Sequence, residues 1–323
     1  MLVARVRRTI RERDLIAKGS LVLVACSGGP DSVALVHALA RLSDEPELAL
    51  SLAVASIDHG LRQNARADVE IAREHARDLS LPFHALRVEV EPGASLQAAA
   101  RRARYAALHE LARRESAARI AVGHTLDDQA ETVLARMLRG AGVEGLSGIA
   151  PRRSDAIVRP LIDARRSDAR AFAAALPRPF ASDPSNDDTR FLRTRVRATL
   201  LPALEREDPA IAVHLARLAD DARAVARSLR AAGRRLLARA STGDAVRAEV
   251  LERAREAERR AALRLWARAK IGSRLSRAHL VAIDHALRGR GEVLVGDGWV
   301  VRVTGGELVA TNQSGATRSS RAE

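Results

Sequence analysis

The first half of the chain alternates short apolar runs with amphipathic stretches. Residues 20–26 form a continuous apolar run, closed by a Gly-Gly-Pro turn and followed by a helical period over 32–42. The alternation repeats: strand-like 50–57, helical 65–79, strand-like 83–90, helical 95–115, strand-like 119–123, helical 126–139. Strand and helix in turn at this spacing predict βαβ units, and so a parallel sheet with helices on both faces. Sheets of this kind carry their sites at the carboxyl ends of the strands. The pattern then changes. Residues 140–160 are loop-rich, and a turn cluster at 183–188 precedes a basic helical stretch at 189–201. Residues 209–269 are rich in Ala, Arg and Leu with helical period, and 280–287 reads as one more helix. Three short strands follow at 292–295, 299–304 and 307–311, with Asp297-Gly298 and Gly305-Gly306 as hairpin turns between them. The expected organisation is an α/β domain over 1–205, then a helical domain with a small β meander over 206–323. No internal repeat interrupts it.

Composition sharpens this picture in two ways. The chain of 323 residues carries 54 Lys and Arg against 40 Asp and Glu, a net charge of +14. Excess positive charge favours a polyanionic partner, because each neutralised phosphate releases counterions. Only Lys18 and Lys270 are lysines, so arginine accounts for the rest. A GC-rich genome explains arginine in place of lysine, but not the excess of base over acid. Cys26 is the only cysteine, which removes disulfides within the chain, cysteine-rich zinc sites and two-cysteine redox chemistry. Aromatic residues make up 2%, too few for an extended base-stacking platform. No apolar run is long enough to span a bilayer, and no apolar core follows the basic N-terminus, so the expectation is a cytosolic protein with no membrane partner.

Four segments carry candidate chemistry. The first is Ser27-Gly28-Gly29-Pro30-Asp31-Ser32, between the first strand and the first helix of the repeat. Two glycines let backbone approach a polyanion, and a helix start adds unpaired N–H groups. The loop lacks the lysine of a Gly-x-x-x-x-Gly-Lys-Ser/Thr loop, which suits pyrophosphate as a leaving group. Asp31 beside bound phosphates calls for Mg²⁺. The second is Gly123-His124-Thr125-Leu126-Asp127-Asp128-Gln129-Ala130-Glu131, where a strand gives way to a helix. Asp127, four residues before Glu131 on a shared face, is the candidate Mg²⁺ ligand; acids in a first turn also simply complement the helix dipole. The third, Asp58-His59-Gly60-Leu61-Arg62, ends the second strand and is either part of a nucleotide site or a plain strand exit. The fourth is Asp183-Pro184-Ser185-Asn186 with Arg190, Arg193, Arg195 and Arg197. Arg190, Arg193 and Arg197 share a helical face, which fits phosphate or an RNA backbone, or merely solvent. Gly140-Ala141-Gly142-Val143-Glu144-Gly145 matches a dinucleotide fingerprint in letters only, since it follows a helix and no βαβ unit surrounds it; a loop is expected there.

Together these blocks resemble a known family. The loop at 27–32 is similar to that of the N-type ATP pyrophosphatases. The 58–62 and 123–142 blocks, Arg159-Pro160-Leu161, and Asp183-Pro184-Ser185-Asn186 with its arginine helix and Leu200-Leu201-Pro202 narrow the resemblance to the tRNA(Ile)-lysidine synthetases, over about residues 20–205. The chain has Thr194, Ser182 and Phe191 where that family often has Asn, an acid and Tyr. The resemblance implies a two-step reaction on the isoleucine tRNA with a CAU anticodon: ATP adenylates the wobble cytidine, then free L-lysine displaces AMP to give lysidine. It implies that Ser27, Gly28, Gly29, Pro30, Asp31 and Ser32 bind ATP, that Asp31, His124 and Asp127 are catalytic, and that Arg104, Arg193, Arg195 and Arg197 contact tRNA. The acid that frees the lysine amine from its proton stays open among Asp31, Asp127 and Asp128, and the oligomeric state stays open, a homodimer included. Two rivals are a tRNA-thiolating enzyme on the same fold, which the single cysteine disfavours, and an RNA-binding protein with a degenerate loop, which the intact loop disfavours.

Overall fold

A computed structural model describes residues 1–58, 65–88, 96–181, 192–243, 245–272, 275–288, 291–296 and 298–313. The chain divides into two compact units, Met1–Asp221 and Ala222–Glu323. The first unit therefore runs further than the change of composition near 205 suggests, to a point inside a long helix.

The first unit opens with α1 (Leu2–Glu12), β1 (Leu21–Ala25), α2 (Pro30–Ser43), β2 (Ser51–Asp58), α3 (Ala65–Asp78), β3 (Phe83–Arg87), α4 (Leu96–Arg114), β4 (Arg119–Ala121) and α5 (Leu126–Met137). A one-turn helix α6 (Val143–Leu146), β5 (Ile157–Val158) and α7 (Arg166–Ala174) follow. Then come α8 (Leu192–Arg195), a π turn over Val196–Leu200, α9 (Leu201–Glu207) and the start of α10 (Ile211–Ala240). Strands run in the order β3-β2-β1-β4-β5, all parallel. The apolar run of β1 is continuous because both its faces are covered: Val22 and Val24 enter one core with α1, α2 and α7, and Leu23 enters another with Leu108 and Leu111 of α4. α1, which precedes the alternating pattern, buries Leu2, Val6 and Ile10 in the first of these cores. The strand order reverses between β1 and β4, the switch point where sheets of this class open a crevice.

The second unit contains the rest of α10, β6 (Ser241–Thr242), β7 (Ala245–Arg247), α11 (Ala248–Glu252), α12 (Glu256–Lys270), α13 (Arg277–Ala286), β8 (Val293–Leu294), β9 (Trp299–Thr304) and β10 (Glu307–Asn312). The expected three-stranded meander is a five-stranded antiparallel sheet, β6-β7-β10-β9-β8. The extra strands interrupt a region whose composition reads as helical throughout. They are two and three residues long, too short to impose a period-two pattern. Gly233 lets α10 approach α12 closely, since a Cβ there would meet the Ala261 carbonyl carbon at 2.8 Å.

Candidate functional site

The loop after β1 and the start of α5 after β4 meet at the switch point. Gly123 makes the approach possible: a Cβ on it would lie 3.2 Å from the Asp31 carbonyl. Gly28 has φ +76° and sits against α3, where a Cβ would meet the Asp68 carbonyl oxygen at 2.6 Å. Only glycine fits there. Gly29 caps α2 with no side-chain hydrogen bond, and Pro30 at the first helical position has no N–H to satisfy. Ser32 braces the turn from inside, accepting from the Ser27 N–H at 3.1 Å and donating to the Gly29 carbonyl at 2.9 Å. A Cβ on Gly29 would meet nothing nearer than Ser27 Oγ at 3.7 Å, so the backbone lies open on that side. The start of a fourteen-residue helix with no side-chain cap suits an anion, whose oxygens the first-turn N–H groups can meet.

Acids and arginines face each other beside this loop. Thr125 and Asp128 form a capping box that fixes the first turn of α5. Arg166, at the start of α7 and 17% exposed, joins three acids: Asp128 at 3.0 Å, Glu131 at 2.8 Å and Asp31 at 3.8 Å. Arg193 reaches Asp128 at 2.8 Å and Glu131 at 3.1 Å, and Arg197 reaches Glu131 at 2.7 Å. Glu131 is fully buried beneath them. Asp127 faces differently. It is held by Arg165 at 3.1 Å and accepts the Arg166 backbone N–H at 2.6 Å. Arg165 also bonds Glu205 at 2.6 Å. The face shared by Asp127 and Glu131 in the sequence reading is thus divided, and Asp128 is the acid that acts with Glu131.

Burial and neighbours set the charge states. Burial works to raise Asp128, but Arg166, His124 and Arg193 with the Thr125 N–H outweigh it and hold the carboxyl at about 2. Burial and then the Asp128 charge push Asp31 up to about 6, against the pull of Arg166, Arg170 and Arg197. Asp31 Oδ1 is buried with no hydrogen-bond partner. Burial, with Arg159, Arg101 and Arg193 nearby, pushes His124 down to about 3. Arg159 Nε donates to His124 Nδ1 at 3.2 Å, so the ring keeps its proton on Nε2. Arg101, Arg104 and Arg153 surround the ring of Tyr105, at 5.1, 6.0 and 5.5 Å from its centroid.

Residues 3–204 match the PP-loop domain family. A tRNA(Ile)-lysidine synthase of Leifsonia xyli subsp. xyli is 38% identical over 275 residues, which cover 83% of this chain and 82% of the relative. The chain belongs to the tRNA(Ile)-lysidine synthase family. Synthases of Symbiobacterium thermophilum and Solibacter usitatus are each 42% identical, over 78% and 65% of this chain. The match spans about half the length of those two relatives, 54% and 47%. In fold, the chain is similar to a U34-tRNA thiolase of Methanococcus maripaludis with its [4Fe-4S] cluster, with a TM-score of 0.56 and 18% identity over 68% of this chain and 79% of that one. The single cysteine of this chain cannot supply a comparable set of cluster ligands.

The Ser27–Ser32 loop meets the Gly123–Asp128 turn at the switch point, where Arg193 and Arg197 pair with Asp128 and Glu131, while Asp127 turns to Arg165 and His124 to Arg159. Arg195 is exposed on α8, and Arg104 lies beside Tyr105 on α4. Of the 58–62 block only Asp58 is described; Asp183-Pro184-Ser185-Asn186 and Arg190 lie outside the described residues. Sequence reasoning passed over Arg165 and Arg166. Their signal was two adjacent arginines at a helix start shortly after Arg159-Pro160-Leu161, hidden in a chain with arginines everywhere. Among the described residues, no helix is long and apolar enough to cross a membrane.

Proposed function

We propose that this protein ligates free lysine to the wobble cytidine of the CAU-anticodon isoleucine tRNA, through an adenylated cytidine, with ATP converted to AMP and pyrophosphate. The observation that carries the reading is the 38% identity to a relative named for lysidine synthesis over four-fifths of both chains. The open loop at 27–32 and the start of α2 support it as the seat of the ATP phosphates. Asp31 presents a buried carboxylate oxygen that no protein group satisfies, beside that anion cradle, and this fits Mg²⁺. Mg²⁺ bound there would neutralise phosphate charge as pyrophosphate leaves. Asp127, the ligand expected from the sequence, already gives its oxygens to Arg165 and the Arg166 N–H, so Asp31 is the better candidate.

The second step needs a neutral amine, and free lysine is an ammonium near neutrality. Asp128, held at about 2, is a poor proton acceptor, and Asp127 is ion-paired. Asp31, poised at about 6 with an unbonded oxygen, is the acid of the three that suits the role. That oxygen serves a metal ion or a proton, not both at once. His124, neutral with its proton on Nε2, offers a donor rather than a base. The arginines around Tyr105, Arg104 among them, and Arg195 on α8 are the candidate contacts to the anticodon arm. The second unit, basic along α10 and α12, is the candidate seat for the rest of the tRNA.

The test is incubation with tRNA, ATP and Mg²⁺ in the absence of lysine. Pyrophosphate release with AMP trapped on the tRNA is expected. Failure to trap adenylated tRNA, with no ATP turnover, would remove the two-step reading.

A further inference from the structure

Behind the phosphate loop, α2 and α3 bury two histidines against each other. His37 and His75 are 8% and 1% exposed, with rings at 90° and centroids 5.0 Å apart. His37 Nε2 lies 3.0 Å from His75 Nδ1, and His75 Nε2 lies 3.2 Å from the Pro179 carbonyl oxygen. A carbonyl only accepts, so His75 carries its proton on Nε2 and its Nδ1 is a lone pair. His37 Nε2–H therefore donates to it. Two residues beyond Pro179, the Ala181 N–H donates to the Gly28 carbonyl at 2.8 Å. A trans peptide points its carbonyl and its N–H in opposite directions. Tying the Gly28 carbonyl to Ala181 therefore aims the Gly29 N–H away from that segment.

We propose that His37 and His75 are positioning residues for the phosphate loop: the neutral pair holds Pro179 to Ala181 in place, and this backbone turns the Gly29 N–H toward the bound anion. The inference rests on the reading of residues 27–32 as the ATP site. The link between the two rings works only while His75 Nδ1 is a lone pair. A proton there would set two N–H groups against each other across 3.0 Å, while His75 Nε2–H would still face the Pro179 carbonyl. Burial is the main force against protonation of either ring, bringing His37 down to about 4 and lowering His75 although its bond to Pro179 favours the charged form. Arg41 on α2 and Arg178 next to Pro179 add to it, while Asp78 and Glu74 on α3 oppose it. Arg178 is itself paired with both of those acids, which mutes their pull.

The experiment compares the full chain with His75→Leu and His75→Gln at pH 7.5. The readouts are the ATP Kd by calorimetry and the exchange rate of the Ala181 amide. His75→Leu is expected to weaken ATP binding by about tenfold and to speed Ala181 exchange by about tenfold, the scale of one lost hydrogen bond. His75→Gln keeps an N–H donor for Pro179 and should restore both to within about threefold of the wild type. A general loss of packing would not be rescued in this way. Unchanged Ala181 exchange in His75→Leu, or a Gln variant as impaired as the Leu variant, overturns the proposal. Should the wild type bind no ATP, the reading of the loop fails, and Ala181 exchange alone still decides the latch. Should His75→Leu not fold, His75→Met decides in its place: Met carries no N–H for Pro179, and Ala181 exchange should again speed by about tenfold. Wild-type protection of Ala181 in His75→Met overturns the proposal.

Discussion

Asp31 holds a buried oxygen without a partner and is pushed from 3.8 up to about 6. Between those values the folded protein keeps a proton that the unfolded chain has lost. Stability is therefore gained as pH falls through 6 and is absent above it. Asp31→Asn imitates the protonated form. At pH 7.5 it should stabilise the ligand-free protein by roughly 2 kcal/mol, read from urea midpoints. The same change should cut pyrophosphate release by at least ~100-fold if phosphate positioning and metal charge dominate the barrier. Stabilisation without loss of turnover would detach Asp31 from the chemistry. Cys26 is different. It is buried at the end of the β1 run with Sγ 3.6 Å from Ser32 Oγ, and burial raises its thiol above the ordinary range. A protonated, enclosed thiol packs rather than reacts. Cys26→Ser should keep most of the tRNA-modifying activity, and its abolition in a folded variant would revive sulfur chemistry.

At the scale of elements, α5 is the hub. Its first turn presents Asp127 to Arg165 and Asp128 to Arg166 and Arg193, and one turn on Glu131 collects Arg166, Arg193 and Arg197. The arginines of the 192–200 segment thus tie that segment to α5 as well as being candidates for tRNA. The two roles separate in Arg197→Met. A structural tie predicts a loss of about 1 kcal/mol, since Glu131 is fully buried but Arg197 is a third exposed, and urea unfolding measures it. If stability is unchanged while tRNA affinity falls, the contact matters only to RNA. The parallel strands and the two loops at the switch point were legible because an apolar strand, a Gly-Gly turn and a capped helix each leave a local mark. The partition of Asp127 from Asp128 was not. In a helix both lie near Glu131, and the choice is made by Arg165 and Arg166, nearly forty residues on and unremarkable in an arginine-rich chain. The short strands β6 and β7 were hidden for a related reason, since β7 is held extended by β10, sixty residues away, and β6 pairs in turn with β7.

At the scale of the whole molecule, the charge of +14 finds a use if the second unit holds RNA. On α10, Arg227, Arg230 and Arg234 are exposed and share one face by three-and-four spacing. Replacing all three with Glu in the full chain should weaken tRNA binding by at least about tenfold and flatten its salt dependence, with the ATP Kd unchanged. Equal tRNA affinity in filter binding across a salt series would move the RNA surface elsewhere. The fold also serves a thiolase, so the sheet does not choose the reaction; the residues at the switch point and the nucleophile do. The most direct measurement supplies the protein with ATP, Mg²⁺, labelled lysine and the CAU-anticodon isoleucine tRNA, then digests the tRNA to nucleosides. Label is expected in the wobble nucleoside, none when ATP is left out, and none in a tRNA whose wobble base is not cytidine. Pyrophosphate release with no label from lysine entering the tRNA would contradict this, and would leave a PP-loop enzyme acting with another nucleophile.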